Sequence, residues 1–382
     1  MQHQNSVFHR LLKHVPWQRF DALVDEHGAD LHVRKLSTKA QLVALLYGQL
    51  SGACGLRSII TGLSSHRARL YHLGIGDVRR STLSDANADR PPAVFAGLLE
   101  VLMKQAHRSL RRQLAGATYL IDSTSVRLSA RSADWARFTA GVCGAKTHVI
   151  YDADADCPIY AAVSAANVND ITAAKQMPIE PGATYVFDLG YYDYQWWAQL
   201  DDAGCRIVTR LKKNTPLQVI EENKLPADSN IISDRIGFLP ARQACSRRNP
   251  MGDAVREIRI KTDTGKILRI VSNDLDGDAE EIAGLYRRRW AIELFFRWVK
   301  QALNIKHFVG TSENAVRIHI AVALIAFLLL RLAHATQRAI QSPLTFVRLI
   351  QANLMHRRSI DDLLRPPTPP VFDPRQMSLS LC

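Results

Sequence analysis

Ala117-Thr-Tyr-Leu-Ile-Asp122 is an apolar run of strand length that closes on an acid, and Ala183-Thr-Tyr-Val-Phe-Asp188 has the same form. Between them, Lys146-Thr-His-Val-Ile-Tyr-Asp152 and Pro158-Ile-Tyr-Ala-Ala-Val163 read as two more strands, joined by the turn Asp152-Ala-Asp-Ala-Asp156. Asp170 to Met177 reads as a short helix, Tyr194 to Ala203 as another, and Arg206-Ile-Val-Thr209 as a strand. This alternation predicts an α/β domain with a mixed sheet. Sites in open α/β sheets gather beyond the carboxyl ends of strands, so Asp122 and Asp188 are the first candidates for chemistry. Taken singly, each is more commonly a cap or turn aspartate. Side by side, two carboxylates repel unless a proton or cation sits between them, and divalent metal is the usual resolution.

Downstream, residues 211–275 carry the alternating runs Val255-Arg-Glu-Ile-Arg-Ile260 and Ile267-Leu-Arg-Ile-Val271 around Thr262-Asp-Thr-Gly-Lys266, a strong hairpin signal. The segment reads as a β insertion. Asp278 to Leu303 is expected to be one long helix and Ala315 to Gln337 another, followed by a Pro-rich, unstructured tail from Pro366. Upstream, residues 1–115 read as helical. Phe8, Leu11, Leu12 and Val15 keep helical spacing until Pro16. Ser37 to Lys39 offers a cap for a helix ending at Gly52, Ser81 or Ser84 starts further helix, and Phe95 to Leu110 continues the pattern. The expected organisation is a helical domain over 1–115, a catalytic core over 116–210 and 276–340 split by the insertion 211–275, and a C-terminal helix and tail over 341–382.

The chain has 382 residues and a net charge of +13, with 49 Lys and Arg against 36 Asp and Glu. An excess this large points to a polyanion, either nucleic acid or an anionic membrane. Residues 1–115 alone hold 16 basic and 8 acidic residues, well over half of the excess in under a third of the chain. Such a module either docks on DNA or presents a solvated basic surface. The most apolar run, Ile320 to Leu330, is 11 residues long and bracketed by Arg317, His319 and Arg331, so it reads as a buried core helix. No signal peptide is read at the N-terminus. The six cysteines form no CxxC and no zinc spacing, as expected of reduced thiols in the cytoplasm.

The sharpest pattern is Tyr286-Arg-Arg-Arg289-Trp-Ala-Ile-Glu293-Leu-Phe-Phe-Arg-Trp-Val-Lys300. At 100° per residue, Tyr286, Arg289, Glu293 and Lys300 share one helical face. Ile292, Leu294, Phe295, Phe296, Trp298 and Val299 around them predict a largely buried helix, in which polar groups need partners. Arg289 and Glu293 alone are equally an ordinary i,i+4 ion pair, which leaves Tyr286 and Lys300 unexplained.

The series Tyr286-x2-Arg289-x3-Glu293-x6-Lys300 resembles the Tyr-Arg-Glu-Lys signature of a large group of bacterial insertion-sequence transposases, DDE enzymes with a ribonuclease-H-like core. Asp122 in Tyr-Leu-Ile-Asp-Ser-Thr resembles the family's first catalytic acid, and Asp188 in Phe-Asp-Leu-Gly-Tyr-Tyr its second. The long gap before Glu293 is similar to that group's β insertion. VRKLS at 33–37 and LYHLGI at 70–75 are similar to its DNA-binding domain.

The resemblance implies a small all-α DNA-binding domain before a ribonuclease-H-like α/β core. It implies that Asp122, Asp188 and Glu293 hold two Mg²⁺ ions, with Mn²⁺ able to substitute, for cleavage at element ends and strand transfer to target DNA. Tyr286, Arg289 and Lys300, with Arg287 and Arg297 beside them, would grip phosphates of the double-stranded terminal repeats. The protein would work as a homodimer on paired ends, in the cytoplasm and bound to the nucleoid, with no membrane partner. The competing classes are a catalytically inactive repressor of its own element and a ribonuclease-H-like repair nuclease. The intact acids count against the first and the basic stripe against the second.

Weaker candidates carry ordinary readings. Lys146 and His148 share a strand face near Asp122, with His148 expected to be a satisfied structural histidine. Asn169-Asp170 reads as a helix cap without a catalytic role. Trp196, Trp197, Trp290 and Trp298 read as core. The charge itself predicts a measurement. Affinity for duplex DNA should fall about 10³- to 10⁵-fold between 50 and 200 mM salt if roughly six to ten phosphates are contacted. A flat salt response would contradict the DNA-docking reading.

Overall fold

The computed structural model describes residues 6–111, 116–225, 229–244, 247–302, 308–337, 340–357, 359–360 and 363. The Pro-rich segment from Pro366 lies outside them. The α/β part begins with β1 (Thr118–Leu128), the short β2 (Arg137–Thr139), β3 (Val142–Asp152), β4 (Cys157–Ala165), β5 (Thr184–Phe187) and β6 (Arg206–Arg210). Strands β1, β3 and β4 form an antiparallel meander. β5 then pairs parallel to β1 and β6 parallel to β5, each reached through a helix, Asp170–Ala174 and Tyr194–Asp202. The order β4-β3-β1-β5-β6 is the mixed, ribonuclease-H-like sheet expected from the sequence.

Period-two alternation gives this sheet two apolar faces. Leu120, Val149, Val186 and Val208 join one core, and Tyr119, Ile121, Ile150, Tyr185, Phe187 and Ile207 the other. The second face is covered by the Tyr194–Asp202 helix, whose Trp196 and Trp197 are buried, as the sequence predicts. The first is covered by the helices Ala93–Leu110 and Glu313–Ala335 and by the helix that carries Glu293.

The inserted segment supplies β7 (Gln218–Glu222), β8 (Ile231–Phe238), a separate two-stranded ribbon of β9 (Arg242–Ala244) and β10 (Arg247–Arg248), then β11 (Val255–Lys261) and β12 (Ile267–Ser272). β12 pairs with β6, so the insertion extends the main sheet in the order β12-β11-β8-β7. The hairpin turn predicted at Thr262 to Lys266 forms, closed by the Thr262 N–H to the Lys266 carbonyl (2.8 Å), with Gly265 at φ 77°. A buried pair fastens β11 to β8, with Arg256 donating to both oxygens of Asp234 at 2.8 and 2.7 Å.

The helix expected from Ser81 or Ser84 begins at Arg80 with neither serine as its cap, while the signals at Ser37 and Gly52 hold. Ser37 caps Thr38–Ser51, and Gly52 ends it at φ 72°. These helices share one apolar core with Glu313–Ala335. Gln49 and His319 meet at 2.9 Å inside it, where burial pushes the histidine down to about 4. The 11-residue apolar run is thus the middle of a 23-residue helix. That helix is long and apolar enough to cross a membrane, yet 89% of its apolar window is buried inside the protein. Cys54, Cys143, Cys157 and Cys205 are free thiols.

Four further local expectations need correction. Asp122 does not end its strand, because β3 keeps pairing with β1 as far as Leu128↔Cys143; only β5 stops at this level. The long helix from Asp278 is two helices, Ala279–Arg288 and Trp290–Ala302. No proline or glycine marks the break; Arg289 sits in a tightened turn whose bonds span three residues, from its N–H to the Tyr286 carbonyl and from the Ile292 N–H to its own carbonyl. Trp290 and Leu294, expected in the core, are 56% and 55% exposed, because after the break they turn away from the sheet. Asn169 precedes its helix without a side-chain cap bond.

Phe295 ties this helix to the rest. Its ring centroid lies 4.9 Å from that of Tyr151 on β3 and 5.0 Å from that of Phe327. Phe295→Ala should therefore lower unfolding free energy by about 3–5 kcal/mol in urea titrations. A loss under about 1 kcal/mol would show that the ring is not a structural anchor.

Candidate active site

Strand register brings Asp122 and Asp188 together. Parallel pairing runs from Thr118↔Thr184 to Ile121↔Phe187, so the next two residues stand side by side where β5 ends. Alternation turns both toward the face of Leu120 and Val186. The Trp290–Ala302 helix packs against β1. Glu293, two residues before the Phe295 anchor, comes within electrostatic reach of Asp122.

The electrostatics show that reach. Burial pushes the Asp122 carboxyl up to about 6. The Ser123 N–H, 2.7 Å from its Oδ1, and the Arg289 charge pull it down, while Asp188 and Glu293 push it up. Asp188 Oδ1 accepts the Gly190 N–H at 2.8 Å, so this aspartate also caps its own turn.

Arg289 Nη1 pairs with Glu293 Oε1 at 2.7 Å. Burial works against the guanidinium charge, but Tyr286, Glu293 and Asp122 outweigh it and hold its pKa above the ordinary value. Its central carbon lies 5.7 Å from the Tyr286 ring centroid and 5.8 Å from that of Trp290. The ion-pair reading holds for Arg289; the continuous helical face does not, because Tyr286 lies on the helix before the break and reaches Arg289 across it. Tyr286 is buried, Arg287 and Arg297 are exposed, and Arg288 pairs with Asp154. Lys300, half-buried and engaged with a neighbour, lies two helical turns beyond Glu293.

Among the described residues, no three acid, histidine or cysteine side chains stand close enough to form a ready metal cage. The donor chemistry nevertheless fits a hard cation. Asp122, Asp188 and Glu293 offer only carboxylate oxygens, which suit Mg²⁺, and the suppressed ionisation of Asp122 is relieved by positive charge. Arg289 already supplies such charge to Glu293.

The sequence reading left one acid out. Asp170 accepts from Ser123 Oγ at 2.6 Å and lies 3.1 Å from Lys146 Nζ. Its only sequence signal was its place before a helix. His148 is buried with Nε2 2.8 Å from Ser164 Oγ, while its Nδ1 has no hydrogen-bond partner among the described residues, so the expectation of a fully satisfied histidine holds for one nitrogen.

The sequence family described as Transposase DDE domain matches residues 115–329, more than half of the chain. The chain belongs to the DDE transposase family. It is an enzyme that cleaves and joins DNA strands, and the family depends on divalent metal. A transposase-named chain of Sinorhizobium fredii (y4zB) is 38% identical over 78% of this chain and 85% of its own length. A Geobacillus stearothermophilus chain named as the transposase of insertion sequence element IS5377 is 29% identical over 73% of this chain and 74% of its own. A domain of unknown function matches residues 3–76. A solved piggyBac transposase synaptic complex with hairpin DNA aligns over 95% of this chain and 81% of that one, at a TM-score of 0.44 and 11% identity.

The transposase should carry the cost of burying Asp122 beside other acids in the metal-free state. The Asp122 carboxyl titrates near 6 when folded, against about 4 for an ordinary aspartate. A group raised on folding favours the folded state at low pH and loses that contribution as pH rises through the folded value. In EDTA, Asp122→Asn should therefore be more stable than wild type by on the order of 2–3 kcal/mol above pH 7. The gap should close between about pH 6 and pH 4, read from thermal melts. A gap that grows on acidification would contradict the burial of this carboxyl.

Proposed function

We propose that this transposase cuts DNA at the terminal inverted repeats of an insertion sequence and joins the freed 3′-hydroxyl to target DNA, a cut-and-paste reaction. Asp122, Asp188 and Glu293 would hold two Mg²⁺ ions, for which Mn²⁺ can substitute. When bound, such ions make a water or 3′-hydroxyl oxygen nucleophilic and stabilise the leaving oxygen of an in-line phosphoryl transfer. The observation that carries this reading is the register that sets Asp122 beside Asp188 on the face against which the Glu293 helix packs.

The chain's own residues must change partners for this to happen. Asp122, whose charged form burial disfavours, would be stabilised by the cation. Glu293 parts from Arg289, whose guanidinium then turns to a phosphate of the bound duplex. Arginine suits that exchange because its planar donors fit carboxylate and phosphate alike. Tyr286 steadies Arg289 from below, and Lys300 extends the same stripe toward the backbone. Arg287 and Arg297, both exposed, add charge that positions the duplex without reading its sequence. The Tyr286, Arg289, Glu293 and Lys300 pattern supports assignment to the Tyr-Arg-Glu-Lys group. Work on paired ends calls for a homodimer, acting on the nucleoid in the cytoplasm.

The test is a cleavage assay on duplexes carrying the inverted repeats that flank the gene. Glu293→Gln should lower Mg²⁺-dependent cleavage at least about 10³-fold, roughly 4 kcal/mol of barrier, while keeping end binding. Arg289→Ala and Lys300→Ala should weaken binding to any duplex and flatten its salt dependence by about one unit of slope each. Undiminished cleavage by Glu293→Gln would refute the metal-site assignment.

A further inference from the structure

Behind the three acids, on the other side of the sheet, lies a polar cluster with no part in the chemistry described so far. Cross-strand register pairs Ser123 with His148 and Ser125 with Lys146, so Ser123, His148 and Lys146 face away from Asp122. Asp170 enters this cluster from the first turn of the Asp170–Ala174 helix. Its Oδ1 accepts the Ser123 hydroxyl at 2.6 Å, lies 3.1 Å from Lys146 Nζ and stands 3.7 Å from His148 Nδ1. Lys146 also donates to the Val168 carbonyl at 3.0 Å, which ties the amine to the chain just before Asp170.

The same carboxylate reaches both aspartate segments of the active site. Ser123 follows Asp122, and its N–H donates to Asp122 Oδ1 at 2.7 Å. Gly190 follows Asp188 by two residues, and its N–H donates to Asp188 Oδ1 at 2.8 Å. A Cβ built on Gly190 would lie 2.9 Å from Asp188 Oδ1 and 3.5 Å from Asp170 Oδ2. Asp170 therefore rests against the turn that fixes Asp188 while it holds the residue that fixes Asp122. The neighbouring Tyr191 hydroxyl, fully buried, lies within the field of Asp170, Asp122 and Asp188 together.

We propose that Asp170 is a positioning residue for DNA cleavage. Charge-balanced by Lys146, it ties down the Ser123 side chain and lies beside the Gly190 turn, so that Asp122 and Asp188 stay in register when a cation binds between them. Two carboxylates that repel each other need such support, because the strand pairing of β5 stops one residue short of Asp188. Groups that orient metal ligands from behind commonly matter almost as much as the ligands.

The inference rests on the proposed metal site, and its test separates the two. Full-length wild type, Asp170→Ala, Ser123→Ala, Ser123→Thr and, as reference, Asp122→Asn are titrated with Mn²⁺ alone, and the free ion is read by electron paramagnetic resonance. Melting temperature and inverted-repeat binding in Ca²⁺ are measured in parallel. Asp170→Ala should bind Mn²⁺ about 10- to 100-fold more weakly and need correspondingly more Mg²⁺ for half-maximal cleavage. Its end-DNA affinity should stay within about twofold of wild type, which a merely structural lesion would not spare. Ser123→Ala should shift Mn²⁺ binding the same way and Ser123→Thr should restore it. This pair carries the test if Asp170→Ala does not fold. Mn²⁺ affinity unchanged in Asp170→Ala or Ser123→Ala, with binding lost in Asp122→Asn, overturns the role of Asp170 and leaves the metal site standing. Unchanged affinity in Asp122→Asn overturns the metal site and this inference together.

Discussion

The active region depends on one repulsion, that between Asp122 and Asp188, forced together by the parallel register of β1 and β5. Neither strand can slip to relieve it. A one-residue shift would turn Leu120 and Val186 out of one core and Ile121 and Phe187 out of the other. The cost of close carboxylates is therefore imposed by apolar packing on both faces of the sheet. Burial is the main reason the Asp122 carboxyl is raised, and the neighbouring Asp188 and Glu293 add to it, while Glu293 takes Arg289 as its partner. A fold that accepts this cost keeps a site ready for positive charge, a common trade of stability for function.

The helices serve the same constraint. Phe295, packed between Tyr151 and Phe327, sets where Glu293 stands over β1. Phe327 belongs to the buried Glu313–Ala335 helix, which also packs on the N-terminal helices. The basic N-terminal region and the α/β sheet thus share one apolar core. The break at Arg289 gives the glutamate helix a direction of its own and leaves Trp290 and Leu294 on the outside.

Much of this was legible in the sequence, because short apolar runs closing on acids and a hairpin around Thr262 to Lys266 are local signals. Asp122 and Asp188 were singled out from such runs, and Glu293 from its place in the Tyr286-to-Lys300 pattern. What escaped was non-local. The length of β1 depends on β3 lying alongside it, and no residue after Asp122 announces that partner. The helix break carries no proline or glycine, so periodicity ran straight through it. Asp170 looked like a helix-start acid because its partners, Ser123 and Lys146, come from other strands. The insertion's place at the sheet edge follows from β12 meeting β6, which composition does not encode.

The central claim is that these three acids are a cation site closed by DNA. The most direct measurement is a crystal structure of the protein with an inverted-repeat duplex and Mn²⁺, with the manganese located by anomalous scattering. The account predicts manganese peaks bounded by Asp122, Asp188 and Glu293, with Arg289 moved from Glu293 to a backbone phosphate. Manganese bound elsewhere, or Arg289 still paired with Glu293 in the DNA complex, would contradict it.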